Sequence, residues 1–406
     1  MSTIAVLGTF DTKGDEHAYV ARLVRERGHQ TLLIDVGTLE APRLAPDIPR
    51  SEIAAAAEAD LAAIVEQRDR GRAVAAMARG APLVLARLQQ EGRIDGVISL
   101  GGGGGTAIGT AAMRSLPLGF PKLMVSTLAS GNTAPYVGVK DIVMMPSVVD
   151  VAGLNRISRK LLAQAAGAIC GMVEAKVPAA ESDRPVVVAS QFGNTTPCVT
   201  RARALLETAG YEVMIFAATG NGGRTMESLI ESGLVTGVLD LTTTEWADEL
   251  LGGVLSAGPT RCEAAALHGV PAIMAPGCLD MVNFGEPTSV PPQYTGRRFY
   301  QHNAQVTLLR TNPQECAELG RILARKCNLS KGPITVLLPL GGISVISAPG
   351  QPFHWPEADA ALFREWKGNL RADIPVIEFP GNINDPGFAD LCVAELRKNL
   401  GKTARS

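Results

Sequence analysis

Five glycines run together at Gly101–Gly105, between an apolar run ending at Leu100 and Thr106. Glycine lets the backbone approach a ligand closely and turn through φ > 0. A helix opening near Thr106 would aim its free N–H groups into that turn, where they favour an anion. A tight turn needs one or two glycines, so five point to a phosphate. No Gly-Lys-Ser/Thr closes the run, which excludes a Walker loop. Nor does it stand after the first strand, where the dinucleotide fingerprint belongs. "GTFDTKGD" at Gly8–Asp15 offers Thr9, Asp11, Thr12 and Lys13. Lys13 could meet a phosphate, and Asp11 a magnesium ion or a hydroxyl; Asp11 or Thr12 could equally cap a helix. Ser130, Gly131 and Asn132, in the polar stretch "STLASGNTAPYVG", could close around the same ligand or form a solvated loop. Asp35 ends the second strand, where Rossmann proteins hold a ribose.

The second half carries side chains where the first carries bare backbone. Glu245 in "DLTTTEW" is either an acid, base or metal ligand, or the last member of a Thr-x-x-Glu capping box with Thr242. "GRRFYQHN" groups Arg297, Arg298, Tyr300 and His302. That set suits an anionic substrate and a proton donor, or is an exposed basic loop before a strand. Glu245, His302 and Arg297 are therefore the candidate catalytic residues. Cys278 reads as a small buried residue, because no histidine is assured beside it. His354, Glu357 and Asp359 lack zinc spacing, and no metal site is assigned.

These residues need elements to hold them. Ile4–Leu7, Thr31–Asp35, Gly96–Leu100, Lys122–Ser126 and Asp141–Met145 read as strands, with Ala-rich helical runs between them. Val186–Ser190, Glu212–Ala217, Val235–Leu241, Ala272–Ala275, Gln305–Arg310, Thr335–Pro339 and Val376–Phe379 repeat the pattern. Such alternation means βαβ units. The fold class is α/β: two tandem Rossmann-like domains with mostly parallel sheets and an interdomain cleft. Residues 1–176 form the nucleotide domain, 177–185 a linker, and 186–406 a second domain for a substrate or partner. Three segments match in order between the halves: the run ending at Gly37 with that ending at Thr219, "IDGVISL" with "VTGVLDL", and "PKLMVST" with "PAIMAPG".

Composition narrows the class. Hydrophobic residues make up 46% and charged residues 19% of 406, enough for a large core. A net charge of -2 leaves no basic surplus for nucleic acid. Seven scattered cysteines without a Cys-x-x-Cys pair read as reduced thiols. No uncharged apolar stretch reaches the roughly 18 residues of a membrane span, and the first residues lack a signal-peptide pattern. The expectation is a cytoplasmic protein without membrane contact.

"GTFDTKG", "SLGGGGGTAIGT", "STLASGN", "ATGNGGRTMESL", "DLTTTEWADELLGG", "RRFYQHN" and "LPLGGISVISAPGQPF" together resemble one family. It is the group of bacterial and fungal proteins related to the ATP-binding N-terminal region of the plant protein that confers tomato mosaic virus resistance. The resemblance implies two Rossmann-like domains, ATP (with or without magnesium) bound by the first half, and a homodimer. Three functions stay open. One is a nucleotide-binding enzyme acting on a small anionic metabolite at the interdomain cleft. Another is a non-catalytic, ATP-responsive binding protein. The third is an NAD-linked enzyme.

Overall fold

The computed structural model describes residues 1–67, 69–176 and 184–403. The chain divides into two compact units, Met1–Ala179 and Ala180–Ser406. Of the expected linker, residues 177–183 lie outside the described residues.

In the first unit the strands are β1 (Thr3–Gly8), β2 (Gln30–Asp35), β3 (Gly96–Gly101), β4 (Lys122–Ser126) and β5 (Val143–Pro146). All are parallel, in the order β2-β1-β3-β4-β5. The helices are α1 (Phe10–Glu26), α2 (Arg50–Ala56), α3 (Leu61–Gln67), α4 (Arg70–Gln90), α5 (Gly103–Arg114), α6 (Ala134–Val137) and α7 (Arg156–Glu174). Successive residues of a strand face opposite sides. Ile4 and Val6 accordingly pack with Val20 and Val24 of α1 and Leu162 and Ile169 of α7. Ala5 and Leu7 pack with Met77 and Leu85 of α4 and Ile108 and Met113 of α5. A sheet buried on both faces explains why its strands read as apolar runs. The path runs from β1 out to β2, then back past β1 to β3. That reversal leaves a crevice between the carboxyl ends of β1 and β3.

The second unit repeats the winding. Its strands β6 (Val186–Gln191), β7 (Glu212–Ala217), β8 (Gly237–Thr242) and β9 (Ala272–Gly277) are followed by β10 (Met281–Phe284), β11 (Phe299–Asn303), β12 (Val306–Arg310), β13 (Ile334–Pro339) and β14 (Val376–Phe379). Six form a parallel sheet in the order β14-β13-β9-β8-β6-β7. Counted from their own first strands, both sheets run 2-1-3-4-5, and the second adds a sixth strand. The three matched segments fall on the second, third and fourth strand of each sheet. The helices are α8 (Thr196–Thr208), α9 (Asn221–Glu231), α10 (Glu245–Leu251), α11 (Ala264–Leu267), α12 (Pro313–Asn328), α13 (Pro356–Gly368) and α14 (Pro386–Thr403).

Two expectations change here. Gln305–Arg310 does hold a strand, but β12 belongs to a separate antiparallel sheet, β10-β12-β11, inserted between β9 and β13. The residues read as a basic loop before it include strand β11. Leu308 of β12 packs with Cys278 and Met281, which follow β9, and with Ile346 and Phe353, which follow β13. The insertion thus lays an apolar lid on the carboxyl ends of those two strands.

Close approach between helices fixes one glycine. A Cβ on Gly80 of α4 would stand 2.0 Å from the Ile53 carbonyl oxygen of α2. Alanine is worth up to about 1 kcal/mol over glycine in an open helix. Here the backbone clash outweighs that gain. We expect Gly80→Ala to lose about 1–3 kcal/mol of stability, read as a lower urea midpoint; a raised midpoint would show that α2 and α4 can separate freely.

Candidate functional site

A cavity of about 450 Å³ opens at the crevice between β1 and β3. Thr9, Asp11, Thr12 and Lys13 line it after β1, Gly102–Gly105 after β3, and Thr127 after β4. Val36, Leu39, Val74 and Ile108 make an apolar wall, and Thr38, Arg70 and Asp150 complete the lining. The glycines divide by what a side chain would meet. A Cβ on Gly101 would lie 2.8 Å from the Gly105 Cα, and one on Gly105 3.3 Å from the Leu100 carbonyl oxygen. Those two close the turn. A Cβ on Gly103 meets nothing within 4 Å, and one on Gly102 meets only Thr127 Oγ1 at 3.7 Å. Packing therefore does not require glycine at these two positions. Gly102 is the N-cap of α5 and provides no side-chain cap, so the first amides of that helix face the open space without an internal acceptor.

Lys13 reaches this cavity at a kink in α1, where its φ of -131° and ψ of 28° leave the helical range. Its ammonium donates to the Val151 carbonyl oxygen. His17, one turn on, holds the kink from below. Its Nδ1–H donates to the Lys13 carbonyl oxygen at 2.6 Å, and burial pushes its pKa down to about 4. The ring is neutral and packs under Gly8, where a Cβ would fall 1.8 Å from Nε2.

Several expected site residues take other work. Asp11 is buried and its Oδ2 accepts the amides of Thr38 and Leu39 at 3.0 and 2.8 Å. Its Oδ1 accepts the Thr12 amide at 2.8 Å. The carboxylate pins the turn after β2 while still lining the cavity. Asp35 is buried, accepts from the Phe10 and Gly37 amides at 3.0 and 2.8 Å, and has its carboxyl raised by burial. The Thr106 hydroxyl is buried 2.7 Å from Ser126 Oγ, so its side chain ties β4 to α5 and does not face the cavity. Ser130, Gly131 and Asn132 are exposed and absent from the cavity lining. Asn132 caps Ala134 at 3.2 Å. Thr127 is the residue of that loop that reaches the site. Arg70 had no sequence signal of its own. It opens α4, far ahead of the glycines in the sequence.

The second unit fills the corresponding edge. Thr242–Glu245 are all buried. Glu245 Oε1 accepts the Gly220 and Gly223 amides at 2.7 and 3.1 Å, while Oε2 accepts Arg261 Nε at 2.6 Å. The Arg261 guanidinium, 1% exposed, also meets Asp240 at 2.6 Å and Glu227 at 3.0 Å. Glu227 accepts the Cys262 and Ala264 amides at 2.8 and 2.7 Å, and burial raises its carboxyl. The expected capping box does not form. Thr242 Oγ1 pairs with Thr195 Oγ1 at 2.8 Å, and Glu245 caps α9 rather than its own helix.

The remaining candidates stand apart. Arg297 holds Glu315 with two bonds of 2.7 Å and the Arg310 carbonyl at 2.9 Å. His302 is exposed on the edge strand β11. Each of Glu245, Arg297 and His302 thus has its own surroundings, and none of them lines the crevice cavity. Among the described residues no group of three or more His, Cys, Asp or Glu could hold a metal ion, and no helix is long and apolar enough to cross a membrane.

Comparison with known proteins agrees with the two-part architecture. The N-terminal domain model of the uncharacterised protein family UPF0261 matches residues 2–178, and its C-terminal domain model residues 184–400. The chain belongs to UPF0261. It is 48% identical over 401 residues to UPF0261 protein RA0729 of Rhizobium meliloti, covering 98% of this chain and 99% of that protein. A UPF0261 protein of Clostridium tetani is 47% identical over 387 residues, covering 95% and 96%. The ToMV resistance protein Tm-1(GCR237) of Solanum lycopersicum is 40% identical over 333 residues, which is 80% of this chain and 44% of the tomato protein.

Two expectations follow for this UPF0261 chain. Glu245→Ala strands two buried amides and removes one partner of Arg261, so it should cost about 3–5 kcal/mol. Glu245→Gln keeps an acceptor for Gly220 and Gly223 and should cost less. Equal urea midpoints for the wild type and Glu245→Ala would sink this account of the cluster.

The second expectation concerns Asp248, whose carboxylate accepts from the Asn283 amide at 3.0 Å and from Asn283 Nδ2 at 2.8 Å. Burial pushes its pKa up to about 7 from an ordinary 3.8. Between those values the folded chain holds one proton more than the unfolded chain. Stability from this group is therefore greatest below the unfolded pKa. It falls by about 1.4 kcal/mol per pH unit until it levels off above the folded pKa. Asn283 Oδ1 is unpartnered, so a flipped Asn283 can accept from an asparagine at position 248. Asp248→Asn should be the more stable chain at pH 8, with the difference shrinking toward pH 5. A gap constant across that range would place the titration elsewhere.

Proposed function

We propose that this chain binds a nucleotide, ATP, by its phosphates in the crevice of the first unit, and acts as a nucleotide-responsive binding protein. The observation that carries this reading is the open space over Gly102 and Gly103 in a cavity of about 450 Å³. Unpaired helix amides favour an anion there. Lys13 would give up the neutral Val151 carbonyl for a charged oxygen, and charge-assisted hydrogen bonds are about twice as strong as neutral ones. Val36, Leu39, Val74 and Ile108 offer apolar surface to the rest of the ligand. Asp11 and Asp150 are the two lining carboxylates, and Asp150, which holds no backbone amide of the turn after β2, is the freer of them to meet a magnesium ion carried on the phosphates.

The binding role is favoured over an enzyme of a small anionic metabolite because Glu245, Arg297 and His302 do not converge. An NAD-linked reading loses its ribose anchor, because Asp35 is fully buried and does not line the cavity.

Gly103→Val tests the reading. The β-branched side chain would enter the phosphate space from a Cβ position with no atom of the surrounding fold within 4 Å. We expect the variant to keep its melting temperature within a few degrees and to lose ATP binding in calorimetric titration. Wild-type affinity in a folded variant would reduce the glycine run to a packing turn.

A further inference from the structure

We infer that Arg70 reads the length of the phosphate chain, so that the crevice takes nucleoside di- and triphosphates and discriminates against monophosphates. This rests on the nucleotide reading above. Two cations border the glycine turn, and they come from opposite faces of the sheet. Lys13 belongs to α1, which shares its face with α7. Arg70 opens α4, which shares the other face with α5. Gly102–Gly105 lies between them at the sheet's edge. A Cβ on Gly104 would stand 3.9 Å from Arg70 Nη2 and 3.2 Å from Val74 Cγ2, so the guanidinium sits beside the cradle.

Arg70 is exposed and, among the described residues, makes no hydrogen bond or ion pair. Its charge is not spent on holding the fold. One phosphoryl group on the glycine amides fills a small part of 450 Å³. A chain of two or three can hold the amides and extend to a cation on either side. Arginine suits the terminal group, because its planar fork matches two phosphate oxygens.

The test is titration of the full chain with AMP, ADP, ATP and inorganic pyrophosphate, for the wild type, Arg70→Gln and Arg70→Lys. Arg79→Gln, an exposed arginine of the same helix outside the cavity lining, serves as a charge-matched control. The wild type should prefer ATP over AMP by about tenfold or more, the yield of one charge-assisted hydrogen bond. Arg70→Gln should bring that ratio near one and change AMP affinity less than about twofold. Arg70→Lys should restore part of the ratio, and Arg79→Gln should leave it alone.

An equal loss for AMP and ATP in Arg70→Gln, or no loss for either, overturns the inference while nucleotide binding stands. So does an equal shift in the ratio for Arg79→Gln, which would reveal only long-range charge. A wild-type chain that binds none of the four ligands overturns both the nucleotide reading and this inference.

Discussion

Backbone N–H groups in the first turn of a helix have no partner inside that helix. In a doubly wound sheet these turns gather at the carboxyl edge of the strands, so the edge carries a surplus of donors. The second unit satisfies it from within. Glu245 accepts from Gly220 and Gly223 at the start of α9, and Glu227 accepts from Cys262 and Ala264 at the start of α11. Arg261 offsets the charge these carboxylates bring into the interior. Gly223 must be glycine here, because a Cβ would fall 2.2 Å from Glu245 Oε2. The first unit uses the same device at its second strand, where Asp11 holds the Thr38 and Leu39 amides. At its third strand it does not, and Gly102 and Gly103 stay open.

The winding was legible because each strand is buried on both faces and reads as an apolar run of fixed length. β4 and β7 coincide with their expected ranges, and the three matched segments occupy equivalent places. The antiparallel sheet was not legible in the same way. β10 is four residues long and pairs with β12 across an intervening strand and two short 3-10 turns. Neither its length nor its composition marks it, since its stability comes from distant pairing and from Leu308 packing against residues that follow β9 and β13. Arg297 looked like a substrate arginine for the same reason. Its partner Glu315 lies eighteen positions on, and only the folded hairpin and the start of α12 bring them together.

At the site, the part made of backbone was readable and the part made of side chains was less so. A glycine run shows in the sequence where the chain needs bare backbone. A carboxylate in a loop does not show whether its oxygens face a ligand or an amide, and Asp11, Asp35 and Glu245 all turned to amides. Ser130–Asn132 missed the cavity because the chain turns outward immediately after Thr127, with the Gly131 amide closing on the Leu128 carbonyl at 3.0 Å. Arg70 lies far from the glycines in sequence, and only the packing of α4 on α5 sets it beside them.

A built-in carboxylate and a dissolved anion differ in what they can report. Glu245 is always present, so the second unit's edge is ordered at any nucleotide concentration. An anion on Gly102 and Gly103 binds only the folded first unit, and stabilises it by an amount that grows with concentration, about 2.7 kcal/mol at a hundredfold excess over Kd. The segment that would register this is Ser147–Gly153. It is held to the site by Lys13 through Val151 and by Glu16 at 2.5 Å from the Gly153 amide. It also carries Val148 at a φ of 63°, a conformation a β-branched residue keeps only where its surroundings impose it. Transfer of Lys13 from Val151 to a phosphate removes one restraint, while the Ser147 amide stays on the Ser126 carbonyl at 3.1 Å and Ser158 Oγ on the Gly153 carbonyl at 3.3 Å. On the nucleotide-binding reading, a phosphate on the glycine turn therefore competes with the Val151 carbonyl for the Lys13 ammonium, whereas the carboxylates that hold the amides of the second unit are fixed in the chain.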